Sequence, residues 1–118
     1  MIDFHTHILP NQVEKMVRDY GNDGVFIDMF KDSQETSDTS KLIESMSNSN
    51  IEASVLMGYG WTNFDVLKIS NSYNLKSAQS NNQLLPFCSV NPKFGIENNN
   101  ELKNCISKGA KGIGEIHP

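Results

Sequence analysis

Of the three histidines in the chain, His5 and His7 stand one residue apart in the opening stretch "MIDFHTHILP". An imidazole offers a nitrogen lone pair and titrates near neutrality, so it serves as metal ligand, proton carrier or hydrogen-bonding group. In a strand, residues two apart point to the same side. His5 and His7 would then share a face with Asp3, while Ile2, Phe4 and Ile8 point the other way, toward covering helices. Two neutral imidazoles at the C-terminal end of a first strand can grip one divalent cation, at about 2.0–2.1 Å for zinc. Hydrogen-bonded core or surface histidines are the alternative.

Glu115 is the second candidate. It lies among glycines and isoleucines in "GIGEIHP", near the end of the last strand pattern, and His117 shares its face. A carboxylate there is costly to bury unless it is paired or bound to metal. The alternatives are a glutamate facing solvent or a salt bridge to lysine. Tyr59 and Trp61 in "MGYGWTN" are either pocket walls or packing. Asn91 in "SVNP" either bonds across the site or starts the turn before Pro92. The roles of His117, Trp61 and Asn91 stay open at this level. The chain shows no Gly-rich phosphate loop, serine elbow or Cys/His nucleophile pair.

These side chains need elements to hold them. "IDFHTHI" reads as a strand, and Pro10 stops it. "NQVEKMVRDYG" places Val13, Met16, Val17 and Tyr20 on one helical face, with Gly21 just past the end. "GVFIDMF" is compatible with a strand, a helical turn or an apolar clamp in a loop. Asp38 or Thr39 caps a helix that turns Leu42, Ile43 and Met46 inward. "IEASVLMG" is a second strand. Thr62 or Asn63 opens a helix to about Ser80, burying Phe64, Val66, Leu67, Ile69 and Tyr73. "QLLPFCSVNP" is a third strand. Glu97 to Lys108 is a helix with Leu102, Cys105 and Ile106 inward, closed by Gly109. "KGIGEIH" is a fourth strand. Apolar strands alternating with amphipathic helices predict an α/β fold with a parallel sheet and right-handed crossovers. Strands one and four of a curved sheet can aim their C-terminal ends at one point, the edge where α/β sheets collect ligands.

A chain of 118 residues and 37% hydrophobic content supports one domain, residues 1–118. Its net charge of −4 gives no pull toward nucleic acid or anionic membrane, so neither is an expected partner. No apolar run is long enough to span a bilayer, and no signal-peptide pattern opens the chain. Cys88 and Cys105 lack metal spacing and read as reduced core thiols. The expectation is a soluble cytoplasmic protein.

Together, "MIDFHTHILP", "IEASVLMGYGW", "LLPFCSVNP" and "GAKGIGEIHP" resemble the N-terminal half of the amidohydrolase-related (amidohydrolase family 2) metal-dependent hydrolases. TatD-type nucleases and PHP phosphoesterases also begin with His-x-His, and the opening is similar to that of PHP-type tyrosine phosphatases. The resemblance implies about half of a TIM-type (β/α)₈ barrel with a mono- or binuclear metal centre. It carries metal binding to His5 and His7, and makes Glu115 the fourth-strand ligand. The cofactor is a divalent metal, zinc foremost, with manganese or iron as alternatives. Further histidines from strands five and six, and a proton-shuttling aspartate from strand eight, would lie in a C-terminal half that this sequence lacks. The implied chemistry is hydrolysis of a C–N or C–O bond in a small-molecule substrate, or decarboxylation. A phosphoesterase or nuclease, or a truncated fragment without catalysis that forms a homodimer through its exposed edges, are the other readings. The isolated chain is expected to turn over substrate negligibly.

Overall fold

The computed structural model describes residues 1–11, 13–31 and 37–116. His117 and the residues numbered 32–36 lie outside that range.

Strand β1 (Ile2–Thr6) opens the chain and helices α1 (Val13–Tyr20) and α2 (Gly24–Lys31) follow. The segment whose pattern was ambiguous, "GVFIDMF", is therefore helical. Asp23 starts it by accepting the backbone N–H of Val25 at 2.8 Å, the role a short acidic side chain plays ahead of a first turn. Gly21 follows α1, and a side chain there is excluded because a Cβ would lie 2.2 Å from the Val17 carbonyl oxygen. Helix α3 (Thr39–Asn48) is capped by Asp38, which accepts from Lys41 N. Strand β2 (Ala53–Leu56) leads to helix α4 (Phe64–Gln79), whose N-cap Asn63 accepts from Asp65 N and Val66 N. Strand β3 (Leu84–Cys88), a 3₁₀ turn at Pro92–Phe94, helix α5 (Ile96–Ser107) and the two-residue strand β4 (Gly112–Ile113) complete the order. Gly109 follows α5 with φ +104°, a left-handed conformation that suits glycine after a helix end.

All three strand pairs are parallel, and the sheet order is β1-β2-β3-β4. The expected α/β architecture with a parallel sheet is what forms. Helices cover one face: Leu56 and Leu84 pack with Ile8 and Met46, while Cys88 packs with Leu75 and Cys105. A third cluster of Leu9, Met16, Tyr20, Phe26, Trp61, Val66 and Leu67 joins α1, α2 and α4 to the loops that follow β1 and β2.

Several side chains depart from the periodic reading. Ile2 and Phe4 are 50% and 65% exposed; among the described residues β1 is an edge strand, paired with β2 alone. Val17, Ile69 and Ile106 are also exposed rather than inward. Their helices bury narrower stripes, such as Met16 and Tyr20 in α1. On α4, much of the buried stripe is polar: Ser70, Asn71, Asn74 and Ser77. Asp3 is not among the residues grouped with the two histidines. The register pairs Asp3 with Ser54 and Thr6 with Leu56, three residues against two, so a bulge between them reverses the alternation. The Asp3 carboxylate instead accepts the backbone N–H of His5 at 3.1 Å.

Candidate metal centre

β1 carries His5, and His7 follows just past its end. Their Nε2 atoms are 2.9 Å apart. Beyond β4 the chain stays stitched to its neighbours: Gly114 N donates to Cys88 O at 3.0 Å, then Glu115 N donates to Gly58 O at 3.2 Å. That second bond bends the chain across the ends of β3 and β2 and delivers Glu115 to the histidines. Its Oε2 lies 3.2 Å from His5 Nε2 and 3.4 Å from His7 Nε2. Among the described residues, His5, His7 and Glu115 form the group whose ligand atoms all lie within 4.8 Å of one another.

The tautomer of His7 follows from its other nitrogen. Nδ1 lies 3.0 Å from the Met57 carbonyl oxygen, which has no proton to give, so Nδ1–H is the donor. In the neutral ring, Nε2 is then bare, and its lone pair faces His5 and Glu115. A second imidazole nitrogen and a carboxylate oxygen at this spacing need a proton or a cation among them. The donors fit a cation. In a tetrahedral shell with ligands at 2.0–2.1 Å, neighbouring donors are about 3.3 Å apart. Two neutral imidazoles and one carboxylate also bring a single negative charge to a divalent ion, and a backbone carbonyl on the far nitrogen is the support metal-bound histidines commonly have.

The loop after β2 organises the group. Met57 N donates to Thr6 O at 2.8 Å, which fixes its carbonyl beside His7. The Tyr59 ring stacks on the His7 ring, with centroids 4.1 Å apart and planes 16° apart. Burial, with the nearby Glu115 carboxylate adding to it, raises the Tyr59 phenol above its ordinary range, so it stays protonated. Gly58 is required sterically: a Cβ would lie 1.8 Å from Ser89 Oγ. That hydroxyl donates to Tyr59 O at 3.2 Å. Asn71, buried in α4, brackets Ser89 by accepting its N–H at 2.8 Å and donating to its carbonyl at 3.1 Å.

The other candidates divide. Trp61 is fully buried and packs between Tyr20 and Tyr59, so it is core rather than pocket wall. Asn91 fills both roles considered for it. Its Nδ2 reaches Trp61 O at 2.9 Å, and its Oδ1 accepts Lys93 N at 3.1 Å to start the turn. Cys88 and Cys105 are buried free thiols, and the contact with Cys88, reinforced by burial, pushes the Cys105 thiol upward. The supports were not singled out in the sequence. Asn71 had a readable signal, a polar residue four from Leu67 and four from Leu75 on an apolar stripe. Gly58 and Ser89 carried none, since their contact joins the ends of two strands. The same applies to Asp23. Its fully buried carboxylate accepts from Thr62 N at 2.8 Å and Asn63 N at 2.7 Å as well as from Val25 N, tying the start of α2 to that of α4.

The chain matches no family model, no curated protein and no solved structure. Among the described residues, no helix is long and apolar enough to cross a membrane.

Proposed function

We propose that the chain is the strand-one-to-four portion of a metal-dependent hydrolase of the amidohydrolase type, with His5, His7 and Glu115 holding a divalent cation, zinc foremost. One observation carries the assignment: three Lewis-basic atoms, from β1 and the residue after it and from the segment just beyond β4, at opposite edges of the sheet, converge with separations of 2.9, 3.2 and 3.4 Å. The sequential strand order supports a barrel segment, since a doubly wound sheet reverses direction after its first strands.

A divalent cation at these ligands supplies Lewis-acid chemistry, polarising a carbonyl oxygen and acidifying water. The chain's own residues do the rest. In the neutral ring, the bond from His7 Nδ1 to Met57 O leaves the ligating lone pair on Nε2. Glu115 would contribute a negative charge that favours positive charge at this point, a bound cation included. Tyr59 keeps its proton at the rim of the group and can donate to a small polar substrate. Among the described residues, the group contains no additional carboxylate to take the substrate-side proton. Turnover by these 118 residues alone is therefore expected to be negligible. Ile2 and Phe4 on β1, Ile113 on β4 and Ile116 just beyond it are exposed at the sheet edges, where further barrel units or a second copy would pair.

Zinc titration against a chromophoric chelator, followed by metal analysis of the gel-filtered protein, tests the assignment. Wild type is expected to retain metal and His5→Ala/His7→Ala to lose it; equal metal in both would refute it. Light scattering across a concentration series reads self-association. A substrate screen of amides and lactones against phosphodiesters, run on any assembly that turns over, separates the amidohydrolase assignment from a phosphoesterase.

A further inference from the structure

We infer that Tyr59 is a positioning residue for His7, setting the plane of the imidazole so that Nε2 addresses the point shared with His5 and Glu115. The inference rests on the metal assignment only for its affinity consequence; its geometric content stands on the metal-free chain. The bond from Nδ1 to Met57 O and the approach of Nε2 to Glu115 at 3.4 Å lie at the ring's edge, and edge contacts of this kind do not by themselves define the plane of the imidazole. The Tyr59 ring defines it by lying nearly parallel to His7 at 4.1 Å. Tyr59 is itself held on two sides. Trp61 meets it edge-on with centroids 5.4 Å apart, and Ser89 Oγ binds its carbonyl at 3.2 Å.

The Nδ1 bond and the stacked ring thus both come from one three-residue stretch, Met57 to Tyr59, whose middle carbonyl also receives Glu115 N. Among the described residues, no ring stacks on His5 in this way. Its side chain is 58% exposed and its ring contact is the edge-on one with His7, at 4.8 Å and 67°. The site therefore pairs a stacked, more buried imidazole with one that is 58% exposed. An aromatic ring two residues after Met57 is what makes the difference, and the phenol oxygen plays no part in it.

The test compares Tyr59→Phe, which keeps the ring, with Tyr59→Leu, which removes the flat face but keeps apolar bulk. The first readout is the nitrogen NMR of the imidazoles in metal-free protein at about pH 8.5, where histidine is ordinarily neutral. Wild type and Tyr59→Phe are expected to show His7 as one tautomer, protonated at Nδ1. Tyr59→Leu is expected to show an averaged signal. The second readout is zinc affinity by chelator competition. It is expected to be unchanged in Tyr59→Phe and about tenfold weaker in Tyr59→Leu, the usual scale for an outer-shell support. Urea unfolding of each variant confirms a folded chain. A single His7 tautomer in folded Tyr59→Leu would overturn the inference. So would Tyr59→Phe losing as much as Tyr59→Leu, since the hydroxyl would then be responsible. Failure of wild type to take up zinc would instead sink the metal assignment, and the NMR comparison would still decide the role of Tyr59. If Tyr59→Leu does not fold, Tyr59→Met replaces it under the same criteria.

Discussion

Glu115 Oε2 lies 3.2 Å from His5 Nε2, although Glu115 follows the last strand of a four-stranded sheet and His5 lies in the first. A carboxylate that closes a group of nitrogen donors contributes charge as well as a ligand. Glu115→Gln keeps the side-chain shape and removes the charge. Zinc affinity is expected to fall at least tenfold, while the urea midpoint of the metal-free chain stays near wild type, because the group is partly solvated and such pairs contribute about 0–1 kcal/mol. Chelator competition and denaturation on the same preparations check both halves. Unchanged affinity would remove Glu115 from the ligand set.

The Asp23 carboxylate is a structural counterpart to that site. It is fully buried, and its acceptor oxygens serve backbone N–H groups at the starts of α2 and α4 together with the Thr62 hydroxyl at 3.2 Å. Asp23→Ala takes the acceptor from these part-buried donors, and each such loss costs about 1–3 kcal/mol. The expected destabilisation is roughly 3 kcal/mol or more by urea unfolding. Asp23→Asn, which keeps one oxygen, should lose less. Equal stability of Asp23→Ala and wild type would contradict this account.

Tyr20 makes stability depend on alkaline pH. Its hydroxyl is buried and has no hydrogen-bond partner among the described residues. Burial, with Tyr73 and Asp19 adding to it, raises its pKa well above the ordinary 10.0. The folded state thus holds this proton more tightly than the unfolded state. The corresponding stability is fully present below about pH 10 and is lost as pH rises toward the folded-state value. Above pH 10 the loss from this group approaches about 1.4 kcal/mol per pH unit. Tyr20→Phe removes it, so the difference between wild type and variant should change in the variant's favour between pH 9 and pH 11. Near pH 8 the variant should be as stable as wild type or more so, because an unpaired buried hydroxyl is gone. Parallel pH dependences for the two proteins would show that Tyr20 does not titrate this way.

Local chemistry explains which parts of this fold were legible in the sequence. Helix starts at Asp38 and Asn63 could be read because a capping side chain acts within three residues of itself. The alternation of strands and helices was legible for the same reason, as were His5, His7 and Glu115 as candidates. Side-chain direction was not. The bulge between Asp3 and Thr6 depends on how β1 meets β2, and Phe4 is exposed on this edge strand. α2 was ambiguous because a short apolar run has no clear period, and what secures its start is Asp23, which also binds residues nearly forty positions away. The supports at Gly58, Ser89 and Asn71 are likewise contacts between elements distant in sequence, and a single chain's pattern does not encode them.

The Gly58–Ser89 contact gives the most direct test of that distant support. A Cβ at position 58 would lie 1.8 Å from Ser89 Oγ and 2.9 Å from Ser89 Cβ, so Gly58→Ala must push the two loops apart. Overpacking of this kind costs about 1–3 kcal/mol. The displaced loop carries Met57 O and Tyr59, so zinc affinity should fall together with stability. Ser89→Gly removes both clashing atoms, at the expense of the hydroxyl bond to Tyr59 O. In the double variant Gly58→Ala/Ser89→Gly the destabilisation should be smaller than the sum of the two single changes, by about 1 kcal/mol or more. Urea unfolding of the four proteins measures this coupling, and chelator competition on the same set shows whether the metal group moves with it. Strict additivity would mean that Gly58 is tolerant of a side chain and that the two loops are not held by this contact.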